Sequence, residues 1–371
     1  MRSANEAFPI EAALEIWAPS AEAIRPAMQV NVIDPRSDPE WDRIIASQPD
    51  ANAFQTAAWA RVLSATYGHR PFYLQCAQAN GEVATLPMME VDSRLTGRRG
   101  VSLPFSDFCR PSTDDREISG AFFEKLCSLA RERRWKYFEL RGASGLTSGA
   151  TPAKTFRSHE LDLHIGAEQL FDQFESAIRR GIRKAEKSGL KVRISRGRGA
   201  IDKFYALHSR TRRRHGTPPQ PRRFFENIWR HLIDAGLGFV VLAELNERCL
   251  AAAVFFQNGH SGLYKFGASD ERFQEHRGNN MVMWEGIRNL AENGATHLHF
   301  GRTSNENEGL SRYKRSWGAR ESTLEYFRYD PAAAAWLPPA TSGAGRSEKM
   351  FRNLPLAVNR LIGALCYPHL D

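Results

Sequence analysis

The feature that most constrains the fold is a weak internal repeat in the order of the predicted elements. Residues 71–91 and 238–269 both consist of short segments rich in β-branched and aromatic residues, separated by polar turns, as expected for hairpins. A helix, a short turn and a further strand follow each hairpin unit, over 122–142 and again over 283–303. Two copies of hairpin, helix and strand predict two similar α/β domains packed together, rather than one large sheet.

The repeat also sets the predicted domain boundaries. A chain of 371 residues is long enough for two domains of ordinary size. The predicted division has four parts, which are an N-terminal extension (1–27), a first domain (28–160), a second domain (161–330), and a linker with a C-terminal amphipathic helix (331–371).

Several functional classes are disfavoured by composition. The first residues have no basic segment followed by an apolar one, so they do not resemble a secretory signal, and no apolar run of about 18 residues predicts a membrane-spanning helix. The five cysteines are scattered and form no CxxC pair, which indicates reduced thiols and neither a disulfide framework nor a zinc cluster. We therefore expect a cytoplasmic protein.

The net charge of +9 comes from one segment. Residues 176–223 contain 16 Lys or Arg and only two acidic residues, a local net charge of +14. Part of this charge lies on a predicted helix over 171–187, where Arg179, Arg183 and Lys184 are candidates for contact with an anionic substrate. A phosphate-bearing substrate, nucleic acid and acidic lipid are all compatible partners, and an ordinary solvated helix face is the alternative.

The C-terminal segment 349–367 carries a second amphipathic pattern. Its apolar stripe is flanked by Arg352 and Arg360 and consists of Leu354, Val358, Leu361, Ile362 and Leu365. Such a helix either lies on a membrane surface, at the inner face of the membrane for a cytoplasmic protein, or packs against the second domain, which is the commoner outcome.

Three segments of the second half together resemble a known family. These are IRKAEKSGLKV, the strand end FGRT, and GLSRYKRSWGA, and FQTAAWARVLSATYG and SLPFSDFCRP in the first half add to the likeness. The chain resembles the FemA/FemB-related acyltransferases over about residues 30–328, and most closely the branch with a BioF2-like acetyltransferase domain.

This resemblance implies a fold and an activity. The implied fold is α/β, with two tandem GNAT-like domains that each contain a mixed, mostly antiparallel sheet flanked by helices. The implied reaction is transfer of an acyl group to an amine, often on a cell-envelope precursor. Acyl-CoA is the donor assumed for the BioF2-like branch, whereas the peptidoglycan-bridge members use aminoacyl-tRNA.

Candidate site residues concentrate in the segment 301–319. In the family a lysine corresponding to Lys314 is important for activity, and it would stabilise negative charge or hold a donor phosphate; a surface lysine is the alternative. Arg302 follows a strand end, where a guanidinium could bind a carboxylate or phosphate, or simply form a surface salt bridge. Further candidates for substrate binding are Thr303, Asn307 and Tyr264.

Two further residues are candidates for proton transfer. Asp107, between two predicted strands, is placed to take the proton of the attacking amine, although aspartate is also frequent in turns. His299 stands where family members often have an acidic residue, and it could act as a base in its place. His297 and His299 share one face of a strand but no third ligand accompanies them, so they are equally compatible with a partly buried pair and no metal is expected.

The candidate donor site is the start of the helix after 271–277. Its residues are Arg277, Gly278, Asn279 and Asn280, where helix N-terminal amides could face a pyrophosphate. This sequence departs from the usual GNAT pattern, Arg/Gln-x-x-Gly-x-Gly/Ala.

The sequence thus predicts an N-acyltransferase that moves an acyl group from acyl-CoA to an amine of a cell-envelope polysaccharide or a peptidoglycan-type precursor, either an anionic small molecule or lipid-linked. One alternative is an aminoacyl-tRNA-dependent transferase of the peptidoglycan-bridge type, for which tRNA would be a partner of the basic segment. The other is a non-catalytic basic protein that binds nucleic acid or a membrane surface.

Overall fold

The computed structural model describes residues 28–78, 81–147, 149–339 and 347–371. The predicted N-terminal extension, 1–27, lies outside the described residues, as does the part of the predicted linker over 340–346.

Fifteen strands are present in the described chain. In chain order they are β1 (Val30–Ile33), β2 (Arg70–Pro71), β3 (Tyr73–Ala77), β4 (Val83–Leu86), β5 (Met89–Ser93), β6 (Gly97–Val101), β7 (Phe138–Arg141), β8 (Lys154–Asp162), β9 (Lys191–Ser195), β10 (Gly238–Leu245), β11 (Arg248–Asn258), β12 (Ser261–Ser269), β13 (His297–His299), β14 (Arg320–Asp330) and β15 (Ala335–Trp336).

Eleven α-helices accompany the strands in the same described ranges. They are α1 (Trp41–Ala46), α2 (Ala57–Tyr67), α3 (Arg116–Glu132), α4 (Ala167–Gln173), α5 (Ser176–Lys187), α6 (Arg198–Arg214), α7 (Arg222–Ile228), α8 (Gly278–Glu292), α9 (Glu308–Arg315), α10 (Ser347–Asn353) and α11 (Leu356–Cys366).

Most strands belong to one large sheet that crosses both halves of the chain. Its order is β2-β5-β6-β7-β14-β8-β13-β12-β11-β10-β9, with β15 added to β14, and β1, β3 and β4 form a separate small sheet. Pairing is antiparallel except between β6 and β7 and between β12 and β13. The predicted mixed, mostly antiparallel α/β fold is confirmed. Only the expectation that the halves do not share one large sheet is wrong, because the main sheet is continuous across both of them.

The two halves exchange strands at the centre of this sheet. β8 follows the first repeat in sequence but pairs with β13 of the second, and β14 follows the second repeat but pairs with β7 of the first. β8 and β14 also pair with each other and so join the halves. The predicted boundary between residues 160 and 161 falls inside β8, and the division into two domains stays a prediction.

The predicted helix over 171–187 is two helices, α4 and α5. Phe174 ends α4 in an extended conformation, and the backbone N–H of Glu175 donates to the carbonyl of Ser316, 3.0 Å away and outside the helix. The apolar spacing continues across the break, with Phe174 and Ile178 both buried, which is why periodicity alone predicted one helix.

Three hydrophobic cores lie against the sheets. One packs α3 on the first half, and another packs α4, α5 and α8 on the second. The third joins α1 and α2 of the first half to α6 and α7 of the second, with Trp59 of α2 in edge contact with Phe224 of α7 at 6.0 Å between ring centroids. This shared core fixes the cleft between the halves.

The C-terminal helix α11 packs on α6 of the second half, but only in part through its predicted apolar stripe. Its buried residues are Asn359 and Gly363, whereas Val358, Leu361 and Leu365 are exposed. The other two residues of the stripe, Leu354 and Ile362, are half-buried, so the stripe contributes only in part to the packing. Among the described residues, no helix is both long and apolar enough to cross a membrane.

Candidate functional site

The parallel strands β12 and β13 separate after a short pairing. They are paired only over Ser261–Leu263 and His297–His299, and β12 then continues to Ser269 while β13 has ended. The backbone edge of β12 beyond Leu263 therefore faces a gap in the sheet. A strand edge of this kind can accept an extended ligand by main-chain hydrogen bonding.

A β-bulge at Lys265 lies inside this gap. In the pairing of β11 with β12, Val254 is opposite Phe266 and Phe255 is opposite Tyr264, so Lys265 has no partner. The extra residue turns the lysine toward the first half, where its Nζ donates to the Phe105 carbonyl at 2.8 Å and to Asp107 Oδ2 at 3.0 Å. Sequence analysis missed Lys265, because a bulge has no signature in one strand alone.

The Asp107 carboxylate is buried in a surplus of positive charge. Burial acts to raise its pKa, but the cations Lys265 and Arg302 outweigh burial and hold the pKa well below its ordinary value. Burial lowers the pKa of Lys265 in turn, and Asp107 offsets part of that change. A carboxylate with so low a pKa is a weak base, so this environment favours an electrostatic role for Asp107.

Both ring nitrogens of His299 have partners. Nδ1 accepts from the backbone N–H of Gly301 at 3.0 Å, so a neutral ring carries its proton on Nε2, which lies 2.8 Å from Ser158 Oγ. Burial lowers the pKa of His299 to about 3. The ring lies 4.4 Å from that of Phe108 and is neutral at physiological pH. With Nδ1 engaged, His299 offers no free lone pair in this arrangement.

Lys314 is buried rather than on the surface. Its side chain is 3% exposed, and Nζ donates to the Gly301 carbonyl at 2.6 Å and, at 3.4 Å, to that of Arg302. Burial lowers its pKa to about 8, with Asp107 acting against this change and Lys265 adding to it. The surface-lysine alternative is wrong, and the charge of Lys314 acts on the Gly301–Arg302 turn.

Arg302 forms no salt bridge within the described residues. Its guanidinium donates to the Tyr326 hydroxyl at 2.7 Å, and that hydroxyl donates to the Asp107 main-chain carbonyl at 2.5 Å. The guanidinium also lies over the ring of Phe156, 4.7 Å from its centroid. The alternative of a surface salt bridge is therefore wrong, and Arg302 keeps a charge available to a carboxylate or phosphate.

The other three predicted substrate-binding residues differ in placement. Thr303 is buried and its main chain pairs with Arg157 of β8, leaving its Oγ1 without a partner. Asn307 is the N-cap of α9, where its Oδ1 accepts from the Leu310 N–H at 3.0 Å. Tyr264 lies at the gap, and burial raises its pKa to about 12, so its hydroxyl stays protonated.

The predicted donor residues surround a cavity of about 210 Å³ at the start of α8. No side chain caps the start of α8, and Gly278 and Asn279 lie there at the wall of the cavity. A Cβ on Gly278 would lie 3.0 Å from that of Ala251, so glycine lets the helix start approach β11 closely. The amides of a helix N-terminus that no side chain caps favour a phosphate.

An acidic residue also lines this cavity. Asp270 is there, but its carboxylate is already bound by Arg248 at 2.9 Å and by Arg272 at 2.7 Å. Its charge is therefore neutralised locally. The residues present fit a phosphate despite the departure from the usual GNAT pattern.

The equivalent position in the first half is closed. α3 lies between the parallel strands β6 and β7 as α8 lies between β12 and β13, but the Asp115 carboxylate caps it by accepting from the N–H groups of Glu117 and Ile118. A carboxylate on these amides excludes a phosphate. The start of α8 in the second half has no such side-chain cap.

The basic helix α5 packs against the donor site. A Cβ on Gly181 of α5 would lie 2.8 Å from the side-chain amide of Asn280, so the two helices are in close contact. Arg183 lies over the ring of Phe171 and is exposed, as is Lys184, whereas Arg179 is half-buried. Cations of this region without an ion pair to any described residue are Arg179, Arg180, Arg183, Lys184, Lys187, Lys191 and Arg196.

A larger cavity of about 700 Å³ lies between the halves. Phe108 and His299 line it, so the Asp107 cluster lies at its boundary. Its other charged or titratable lining residues, which sequence analysis missed apart from His297, are Asp50, Arg110, Asp114, Glu160, His297 and Arg320. Strand alternation could have grouped Glu160 with Ser158, but the pairing of β8 with β13 and β14 is not visible in the sequence. Among the described residues, no group of three or more His, Cys, Asp or Glu is placed to hold a metal ion.

Residues 173–315 match a family model described as an acetyltransferase (GNAT) domain. The structure of FemX matches with a TM-score of 0.65 at 17% identity, over 80% of this chain and 97% of FemX. L-PGS from Bacillus licheniformis matches with a TM-score of 0.51 at 12% identity, over 90% of this chain and 98% of that one. A tandem GNAT protein from the clavulanic acid biosynthesis pathway gives 0.50 at 10% identity, over 82% and 98%. Curated proteins gave no match.

The matched domain contains the separated strands, α8 with its cavity, and α9 with Lys314. Fold and site together define an acyltransferase of the GNAT type. The acetyltransferase (GNAT) match is limited to residues 173–315, and the likeness to FemX shows a shared fold over 80% of this chain. The prediction of an enzyme, rather than a non-catalytic binding protein, is confirmed.

Proposed function

We propose that this protein is an N-acyltransferase that moves an acyl group from acyl-CoA to an amine of a cell-envelope polysaccharide or peptidoglycan-type precursor. The observation that carries the proposal is the course of β12. The strand leaves its partner β13 beside the cleft, at Leu263, and ends at Ser269 in the donor cavity. Six residues of strand span roughly 20 Å, a length suited to the extended arm of a coenzyme A thioester.

In this proposal each end of the gap binds one part of the donor. The N–H groups at the uncapped start of α8, at Gly278 and Asn279, bind phosphate, with Arg277 and Asn280 beside them in the cavity wall. The exposed edge of β12 binds the extended arm of the donor, which runs from this phosphate to the acyl group beside the cleft. The acceptor amine lies in the cleft of about 700 Å³, which both halves line.

The charges at the cleft boundary suit acyl transfer. The amine nitrogen forms a bond to the acyl carbon, the carbon–sulfur bond breaks, and negative charge passes through the acyl oxygen to the thiolate. Asp107 is one carboxylate among three cations, Lys265, Arg302 and Lys314. The net positive charge of this cluster stabilises that developing negative charge.

The amine must also lose a proton. Asp107 and His299 are proposed to take part in catalysis. The contacts of each residue indicate its role. Asp107 fixes Lys265 and can take the proton only if that ion pair opens, and His299 holds the Gly301 N–H. Lys314 positions Gly301 through the carbonyl of that residue.

An aminoacyl-tRNA donor is the second candidate. The observation favouring it is the row of unpaired cations on α5 and the adjoining segment, which includes Arg183 and Lys184 and packs beside the donor cavity. A nucleic-acid backbone needs such a row, and its binding weakens steeply with salt.

Calorimetric titration distinguishes the two donors. Acetyl-CoA and an aminoacyl-tRNA are titrated separately into the full chain at low and at high salt. Saturable acetyl-CoA binding with a shallow salt dependence is expected. Tight tRNA binding that falls steeply with salt, with no heat from acetyl-CoA, would replace the first proposal by the second.

A further inference from the structure

Exposed apolar side chains are concentrated in one short stretch of this protein. Ten large hydrophobic residues are exposed in the described chain, and five of them lie in the last 22 residues. These five are Met350, Val358, Leu361, Leu365 and Leu370. Scattered exposed leucines are ordinary, but a cluster on one short element indicates a contact surface.

The way in which α11 is attached to the protein explains this exposure. Gly363 faces the turn at Pro218 and Pro219, and a Cβ there would lie 2.0 Å from the Pro219 carbonyl oxygen, so only glycine allows the contact. Asn359 is fully buried beside it and donates to the Phe351 carbonyl at 2.7 Å. Because this polar, small face is packed, Leu361 and Leu365 point outward and are 60% and 63% exposed.

Arginines without carboxylate partners lie near this apolar face. Arg360 of α11 lies over the Tyr205 ring, 5.1 Å from its centroid, and Arg212 of α6 donates to the Tyr367 hydroxyl. Arg352 of α10 and Arg212 are both close enough to His215 to lower its pKa, after the larger effects of burial and Arg214. None of these three arginines forms an ion pair with a described acidic residue.

We propose that α11 rests on an anionic membrane surface, with Leu361 and Leu365 inserted among the lipids and the arginines on lipid phosphates. An apolar helix face bordered by cations has the composition that anionic bilayers bind. Neither the helix length of 11 residues nor its composition allows it to span the bilayer. The surface is separate from the proposed donor site, so this proposal does not depend on the proposed reaction.

The native cysteines provide a probe. Cys366 at the end of α11 is exposed, whereas Cys76, Cys109 and Cys127 are buried and Cys249 is half-buried. The full chain is labelled at Cys366 with an environment-sensitive fluorophore. It is then titrated with vesicles of phosphatidylcholine alone and with vesicles containing about one third phosphatidylglycerol.

The label should show a polar environment in buffer and an apolar one with the anionic vesicles. The double variant Leu361→Gln/Leu365→Gln should bind at least about tenfold more weakly. Arg352→Gln should weaken binding to the anionic vesicles by about fivefold. Val32→Gln, which changes an exposed apolar residue on β1, is the matched control and should bind like the native protein.

Three results would overturn the proposal. The first is no response to either vesicle. The second is binding that the leucine variant leaves unchanged, which would place the contact on another surface such as α5. The third is an apolar environment for the label without vesicles, from dimers that the leucine variant dissociates or from cover by residues 1–27.

Discussion

The buried amine of Lys314 gives a prediction whose size follows from the structure. The folded-state pKa is about 8, below the 10.5 of a free lysine, because burial disfavours the charged form. Between these values the unfolded chain binds the proton and the folded chain does not. The unfolding free energy must therefore rise with pH in this window, by about 2.5 kcal/mol from pH 7 to pH 10 for this group.

Substitution isolates this contribution. Lys314→Met removes the titrating amine, so the stability difference between the native protein and the variant should shift by about 2.5 kcal/mol in favour of the native protein from pH 7 to pH 10. Urea unfolding at several pH values measures it, with Lys136→Met as the control for loss of an exposed lysine. A difference that stays constant with pH would refute the reasoning, since it would mean that Lys314 is not a desolvated cation.

The remaining predictions concern the groups around the cleft. Asp107→Asn leaves the charge of Lys265 buried without its carboxylate and should lower the unfolding free energy by about 3 kcal/mol, measured by urea unfolding. The double variant Asp107→Asn/Lys265→Met should recover part of that loss. An Asp107→Asn variant as stable as the native protein would exclude a buried ion pair. Arg302→Lys loses the planar contact with Tyr326 and should lower kcat/KM about tenfold in a transferase assay, more than Tyr326→Phe; equal effects would assign Arg302 only to that hydrogen bond. Asn307→Ala removes a helix cap and should lower the unfolding free energy by about 1 kcal/mol with kcat unchanged. Asn307→Asp keeps the cap and is the control. A fall in kcat in the alanine variant would instead make Asn307 a substrate contact.

The repeat predicted the order of elements well because it depends on local pattern. Hairpin, helix and strand occur twice as expected, and Gly278 does stand at the start of a helix beside a cavity. The exchange of β8 and β14 was not predictable, because strand order depends on pairing between residues more than a hundred positions apart. Each strand satisfies the local pattern equally well in either position.

The site was also predicted only in part, because some of its residues are placed by pairing between strands. The segment that contains Arg302 and Lys314 was found from its sequence, whereas Lys265 was not, since its orientation results from a bulge that requires the register of two strands. The sequence left open whether the apolar stripe of α11 is packed or exposed. Gly363 and its contact with Pro219 decide which face is packed.

The central claim is that an acyl-CoA donor binds at the start of α8, and acetyl-CoA affinity tests it most directly. Asn279 is exposed at that start, and Asn293 is exposed at the other end of the same helix. Asn279→Glu adds a negative charge beside the proposed phosphate site and should weaken acetyl-CoA binding at least about tenfold, whereas Asn293→Glu should leave it unchanged. Equal affinities in the two variants, or no acetyl-CoA binding by the native protein, would contradict the claim.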